Sequence, residues 1–411
     1  MSAWLETTLA GIAPQDWLAP KRQASLALLQ QVPWPNRKLE AWKYTPVRAL
    51  EKSNFARAGA GEAHALQAIE GLNSVDIIIQ DGKPVLPAAL PAGVSITLLS
   101  QPSVAGQLLF CGIKPERHVF GLLNDVLAND GLVIEVAPDC QVERPLRIVY
   151  RVSDAAQAHG RVLVRLGARS KLTVVEQAED SSPSFSTHFA EYQIEADAAL
   201  EHYRFALQTG GALNVGGCHF SLADKSSLNS TLVGFGGELA RLDVDVIHAG
   251  EFAQAKMNAI YLLDGSELFD LHTTIEHAKP NGTTEENVRG IVADKAKAVF
   301  NGRIHIHRDA QKTLAELNNR NLLLSEGAEI NTKPELEIYA DDVRCAHGAT
   351  VAEIDKQALY YLQTRGISRA QAQVMLSFGF INELVDDMPS EALANWLRPQ
   401  LRDRFARMEV K

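Results

Sequence analysis

Residues 195–207, "EADAALEHYRFAL", and residues 222–235, "LADKSSLNSTLVGF", decide how the middle of this chain folds. Each opens on a small residue beside an acidic one, then runs into a stretch where apolar and polar residues alternate. Period-two alternation marks a strand with one face against a core. The same opening recurs in "HAGEFAQAKM" (248–257), "LDGSELF" (263–269), "VADKAKAV" (292–299), "LSEGAEI" (324–330) and "YADDVRC" (339–345). Ala196, Ala223 and Gly250 lie 27 residues apart, Gly265 and Ala293 lie 28 apart, and Gly327 and Ala340 are separated by 13. Short strands at a fixed period, joined by tight small-residue turns, fit stacked rungs that bury their apolar faces only against one another. The repeat is degenerate. It leaves a parallel β-helix and a β-sandwich both open.

Working outward, strands such as "LVIEV" (132–136), "LRIVYRV" (146–152), "GRVLVRL" (160–166) and "KLTVVEQ" (171–177) extend this character over residues 131–351. Residues 1–130 read as a helical and mixed region. "PKRQASLALLQQV" (20–32) is expected to form a helix with Ala24, Leu28 and Val32 on one stripe, Pro20 before it and Pro33 closing it. "KLEAWKYTP" (38–46) follows, and "VDIIIQDGKPV" (75–85) reads as a strand with an Asp81-Gly82 turn. "KPERHVFGLLNDVLANDG" (114–131) reads as a helix with Pro115 early and Gly131 just past its end. Residues 352–411 are helical again. Asp355 caps "KQALYYLQTRG", which Gly366 closes, and Ser368 caps a helix with Ala370, Val374, Phe378, Ile381 and Val385 on one face. Ser390 opens a last helix that Pro399 should kink.

Composition bounds the function. Of 411 residues, 46% are hydrophobic and 22% charged, which suits a globular protein with a sizeable core. A formal net charge of −10 argues against nucleic acid, which needs a basic face to displace counterions. The four cysteines, Cys111, Cys140, Cys218 and Cys345, form no CxxC pair and no disulfide framework, the pattern of a reducing cytosol. The N-terminus lacks the basic and apolar regions of a signal peptide, and no apolar run approaches the roughly 18 residues of a membrane span. A cytoplasmic protein is expected.

Several motifs could carry chemistry. There is no GxxxxGK[ST] and no GxGxxG opening a helix, so "TGGALNVGG" (209–217) and "GFGGE" (234–238) are read as tight turns, not phosphate cradles. His305 and His307 in "GRIHIH" share one strand face, either as a metal pair or as a solvated histidine pair. Cys218 and His219 are adjacent and point to opposite faces of a strand, so joint action is not expected. Cys345 and His347, in "YADDVRCAHGAT" (339–350), also share a face. Thiolate and imidazole suit iron, zinc or an iron–sulfur cluster, but two donors do not close a site. The structural alternative makes Cys345 a small buried hydrophobe and His347 a surface residue of the last rung. A Cys-His nucleophile is disfavoured, because residues two apart on a strand lie roughly 6.5–7 Å apart and nothing orients the imidazole.

From Phe300 to Phe380, "FNGRIHIHRDAQKTLAELNNRNLLLSEGAEINTKPELEIYADDVRCAHGATVAEIDKQALYYLQTRGISRAQAQVMLSFGF" resembles the C-terminal signature of the SufB/SufD iron–sulfur cluster assembly family. "EAWKYTP" (40–46) resembles the tryptophan-tyrosine element near the start of its SufD branch, which the chain length and scarcity of cysteines also favour. The resemblance implies a right-handed parallel β-helix between N-terminal and C-terminal helical regions. It implies a scaffold subunit, not an enzyme, in complex with a SufB-like paralogue and two copies of a SufC-like ABC ATPase. Iron and sulfide would be assembled there into a transient cluster shared between subunits. The ATPase would dock on residues 354–407 and the paralogue at the end of the β-helix. The histidine of the C-x-H-G-A-T element, His347 here with Cys345 beside it, would lie at that joint. The isolated chain could pair with itself. Flavin participation is left open, with no flavin motif in the chain. The rival readings are a metal-free ATPase adaptor and a β-helix carbohydrate-active enzyme, the latter usually exported. A left-handed acyltransferase would need hexapeptide repeats, which are not found.

Overall fold

The computed structural model describes residues 3–59, 66–103 and 118–408. It resolves the choice left by the repeat. Sixteen strands alternate between two long sheets, from Gly131–Val136 to Glu329–Ile338 in the first and from Leu146–Arg151 to Arg344–Glu353 in the second. Each strand pairs in parallel with the strand two places on, as in a β-solenoid of about eight turns. A sandwich of antiparallel hairpins would pair neighbours in sequence. Among the described residues, strands pair antiparallel at the N-terminal end, where Val94–Leu98 joins the first sheet and the Asp81-Gly82 hairpin closes the second, and a lone antiparallel bridge links Gly237 to Leu268.

One column of stacked residues defines the rung. Leu172, Leu200, Leu228, Ala255, Thr284, Ala315 and Cys345 lie directly above one another, at steps of 28, 28, 27, 29, 31 and 30 residues. The small-acidic turns form a second column in the same phase. Asp139, Arg169, Asp197, Lys225, Phe252, Asn281 and Lys312 all hold positive φ, between 56° and 63°. Each donates its backbone N–H to a carbonyl of the next rung, as Asp197 does to Asp224 at 2.9 Å and Lys225 to Glu251 at 2.8 Å. The turn is therefore hydrogen-bonded along the solenoid axis, like the strands. Its small residues are steric: a Cβ on Gly250 would stand 2.1 Å from the Asp224 nitrogen. The 13-residue spacing from Gly327 to Ala340 is a half-rung, from one sheet's turn to the other's.

Three apolar layers bury the strands. The lumen holds Ile134, Leu172, Val244, Phe300 and Ile304, among others. Outside the first sheet, Leu5, Leu29, Trp42 and Phe120 pack on Phe185, Phe189, Leu213 and Val215. Outside the second, Ile381, Leu384, Leu397 and Phe405 pack on Tyr203, Phe205, Val233 and Ile260. Strands covered on both faces read as continuous apolar runs, which explains why the repeat is faint in the middle of the chain.

The flanking helices agree with expectation in place more than in face. Ala19–Gln31 is helical with Pro20 in its first turn, but Ala24 and Leu28 are exposed and Arg22, Ser25 and Leu29 face inward. The cause is polar: Arg22 donates to the Asp125 carbonyl at 2.6 Å and Ser25 to the Asp125 carboxylate at 2.8 Å. The next predicted helix runs over Val119–Leu127 with Ala128 as its C-cap, so Gly131 begins the first strand instead. Pro115 and Cys111 lie outside the described residues. Asp355 caps Lys356–Thr364, and Ser368 forms a reciprocal capping box with Gln371. On Arg369–Asp386, Ile381 and Val385 are buried as expected, whereas Ala370 is exposed and Ala372 and Leu384 lie inward. Glu391–Met408 is one helical span with Pro399 inside it. Gly216 and Gly217 are not turn residues; they sit inside Ala212–Leu222, where a Cβ on Gly217 would come within 2.7 Å of the Asp243 carbonyl oxygen.

Glu286 is the anomaly of the lumen. It is 2% exposed, and neither carboxyl oxygen has a hydrogen-bond partner. Burial raises its pKa to about 7, against a smaller opposing pull from the Thr273 hydroxyl.

Two predictions follow from this packing. Phe252 holds φ 58° with a side chain that is 48% exposed, so little burial opposes relief of the left-handed backbone. Phe252→Gly is expected to raise stability by about 1 kcal/mol in urea melts, and an unchanged or lowered midpoint would count against the turn's strain. For Glu286, the unfolded chain releases the proton near 4.5 and the folded chain near 7, so folding loses stability as pH rises between those values. The stabilising effect of Glu286→Gln should therefore grow by about 3 kcal/mol from pH 4 to pH 8 and then level off. A pH-independent difference between variant and parent would contradict it.

Candidate functional site

The terminal rung differs from the rest. Arg344–Glu353 pairs with Leu314–Leu323 on one side, and Glu329–Ile338 pairs with Lys297–Ile306. Among the described residues, no strand continues either sheet beyond them. Burial collapses here: every residue of Arg344–Glu353 is intermediate or exposed, whereas Ser184–Ile194 is buried almost throughout.

Cys345 stacks on the buried Ala315 and His347 on the buried Leu317, so both belong to columns that line the lumen. With no rung above them, these lumen positions open outward. Cys345 is half-buried against the core, and burial pushes its thiol pKa up, offset in part by a backbone hydrogen bond at Ala315. His347 is exposed. The thiol thus stays protonated at neutral pH until a cation or a base draws its proton. The two side chains share a face, and no third donor from the described residues joins them within ligand distance.

The other sequence candidates have partners. His305 Nδ1 lies 2.9 Å from Glu337, and His307 Nε2 lies 2.8 Å from Glu276, with the two rings edge to face at 4.7 Å. They sit on the outer face of the first sheet, within an ion-pair ladder that includes Arg303 and Glu337. Cys218 and His219 do part to opposite faces, and each enters a separate buried cluster.

Those clusters escaped sequence reasoning. In the lumen, Glu176 gathers Tyr192 at 2.8 Å, His202 Nε2 at 3.1 Å, Arg204 and the Cys218 thiol at 3.5 Å. Burial alone would raise the Glu176 pKa, but Arg204 and His202 hold it well below the usual range. Burial and the Glu176 charge push the Cys218 thiol well up. Outside the first sheet, His118 Nε2 approaches Asp245 Oδ2 at 2.6 Å and His219 Nδ1 approaches the same oxygen at 3.1 Å. The available signal was the period: His219 to Asp245 and Glu176 to His202 are each separated by 26 residues, close to one rung. Using it required the strand register.

Residues 149–380 match the family model described as "SUF system FeS cluster assembly, SufBD core domain". The chain is 31% identical to the iron–sulfur cluster assembly protein SufD of Escherichia coli, over 94% of this chain and 93% of that protein. It is 27% identical to an iron–sulfur cluster assembly SufBD family protein of Synechocystis, over 97% and 93% of the two chains. It is 26% identical to the chloroplastic protein ABCI7 of Arabidopsis thaliana, over 93% and 85%. No helix among the described residues is long and apolar enough to cross a membrane. With the parallel solenoid, the matched core and the relatives spanning nearly its whole length, the chain belongs to the SufBD family of iron–sulfur cluster assembly proteins.

Proposed function

We propose that this chain is a non-ATPase scaffold subunit of a SufBCD-type complex, pairing with a SufB-like paralogue at its terminal rung and docking a SufC-like ATPase on its C-terminal helices. Iron, sulfide and the cluster built from them are its cargo. The observation that carries this reading is the placement of Cys345 and His347 on the lumen face of the last strand, at the open end of both sheets. Two donors fall short of a four-coordinate ion, and a facing subunit is the natural source of the rest. The exposed Ile338, Tyr339 and Val351 beside unpaired strand edges favour a strand-bearing partner. Without the paralogue, a second copy of this chain would satisfy the same edges.

Support for ATPase docking comes from Lys356–Thr364. This helix buries none of its residues and presents Tyr360 at 70% and Tyr361 at 57% exposure. Exposed aromatics of this kind are typical anchors of an interface core. The absence of a P-loop suits a division of labour in which ATP is hydrolysed by the partner.

The reading is tested by reconstituting the complex anaerobically with His347→Ala. Assembly should be normal, while cluster formation, followed by visible absorption with iron and sulfide assay, should fall at least tenfold. Full cluster formation in a normally assembled complex would overturn the site. A complex that stimulates ATP hydrolysis yet carries no iron would support the adaptor reading in its place. For the isolated chain, Val351→Lys should shift the light-scattering mass from dimer toward monomer; an unchanged mass would remove the strand edge as the self-pairing surface.

A further inference from the structure

We propose that His118, His219 and Asp245 form a divalent-metal site at the seam between the first sheet and the helix Val119–Leu127. The site lies apart from the terminal rung and does not draw on the function proposed above. His118 is the residue immediately before that helix, and His219 and Asp245 are register partners on adjacent strands, Ala212–Leu222 and Leu239–His248. The seam thus brings one donor from the N-terminal region onto two from the solenoid.

The geometry fits an ion. One ligand atom from each residue lies within 4.8 Å of the other two, and all three residues are buried. The imidazole rings of His118 and His219 stand 4.9 Å apart at 73°. Two imidazoles bound at about 2.0–2.1 Å to one tetrahedral ion have ring centres roughly 5 Å apart, so the rings already stand at that separation. The contacts to Asp245 Oδ2, 2.6 Å from His118 and 3.1 Å from His219, would open by less than about 1 Å to admit it.

The surroundings supply an outer shell. Asp243 lies 3.8 Å from His118 Nδ1, on the side of the ring away from Asp245, where a carboxylate orients a ligating imidazole. Phe189 stacks on the His219 ring at 6.0 Å. Arg241 directs its guanidinium to Asp243, Asp270 and the Ala41 carbonyl. Once the ion replaces the proton that His118 shares with Asp245, two imidazoles and one carboxylate suit a first-row divalent ion such as Zn²⁺ or Fe²⁺, with one position left for water. The lumen cluster of Glu176, His202 and Cys218 is the weaker candidate, since an ion there would have to displace the Arg204 guanidinium from a carboxylate that already holds it.

The test uses the full chain carrying Cys345→Ala and His347→Ala, which removes the terminal rung's donors. Titrated anaerobically with Co²⁺, it should bind a single equivalent with the visible bands of a nitrogen–oxygen tetrahedral site and no thiolate charge-transfer band. Zn²⁺ should displace the Co²⁺ and raise the melting temperature. His219→Gln, His118→Gln and Asp245→Asn, each added to that background and checked for folding by circular dichroism, should each weaken binding by roughly tenfold or more. Absence of Co²⁺ binding, equal binding by any of the three folded variants, or a thiolate band pointing to Cys218 would overturn the site. None of these outcomes bears on cluster formation at His347, so the two readings fail separately.

Discussion

A rung of this solenoid cannot satisfy its own backbone. Its strands, and the left-handed residue in each turn of the Asp139–Lys312 column, direct their hydrogen bonds along the axis to the rungs above and below. Every other property of the molecule follows from that dependence. Register must hold from rung to rung, because a slip of one residue would turn the lumen columns outward. The turns stay short and small because a side chain at Gly250 would collide with the neighbouring rung. The outer faces must then be covered, and the chain does so with its two ends, the N-terminal helices on one sheet and the C-terminal helices on the other.

Much of this fold was legible in the residues. The 27- and 28-residue spacings of Ala196, Ala223, Gly250, Gly265 and Ala293 match the observed rungs, and the caps at Asp355 and Ser368 are where the sequence places them. The choice between solenoid and sandwich was not legible, because both bury alternating strands and only the pairing partner differs. Helix faces were misjudged where polar contacts override apolar periodicity. The Ala19–Gln31 helix turns Arg22 and Ser25 toward Asp125, a residue about a hundred positions away that no local pattern reveals.

The candidate sites divide along the same line. Cys345 and His347 are neighbours on one strand, so their shared face could be read from spacing. What spacing did not disclose is that this face belongs to the lumen and lies open only because the stack ends there. Glu176, His202 and Cys218, and likewise His118, His219 and Asp245, come together from different elements. Their convergence depends on rung steps that vary between 26 and 32 residues, too irregular to align by eye.

The loss of burial at Arg344–Glu353 also sets a gradient of local stability. Inner rungs exchange their amide protons only when large parts of the molecule open, since each is held from both sides and roofed by helices. The last rung is held from one side and can open while the rest stays closed. Cys345 and His347 therefore sit on a rung that is held from one side among the described residues, where the backbone can open while the rungs beneath it stay closed.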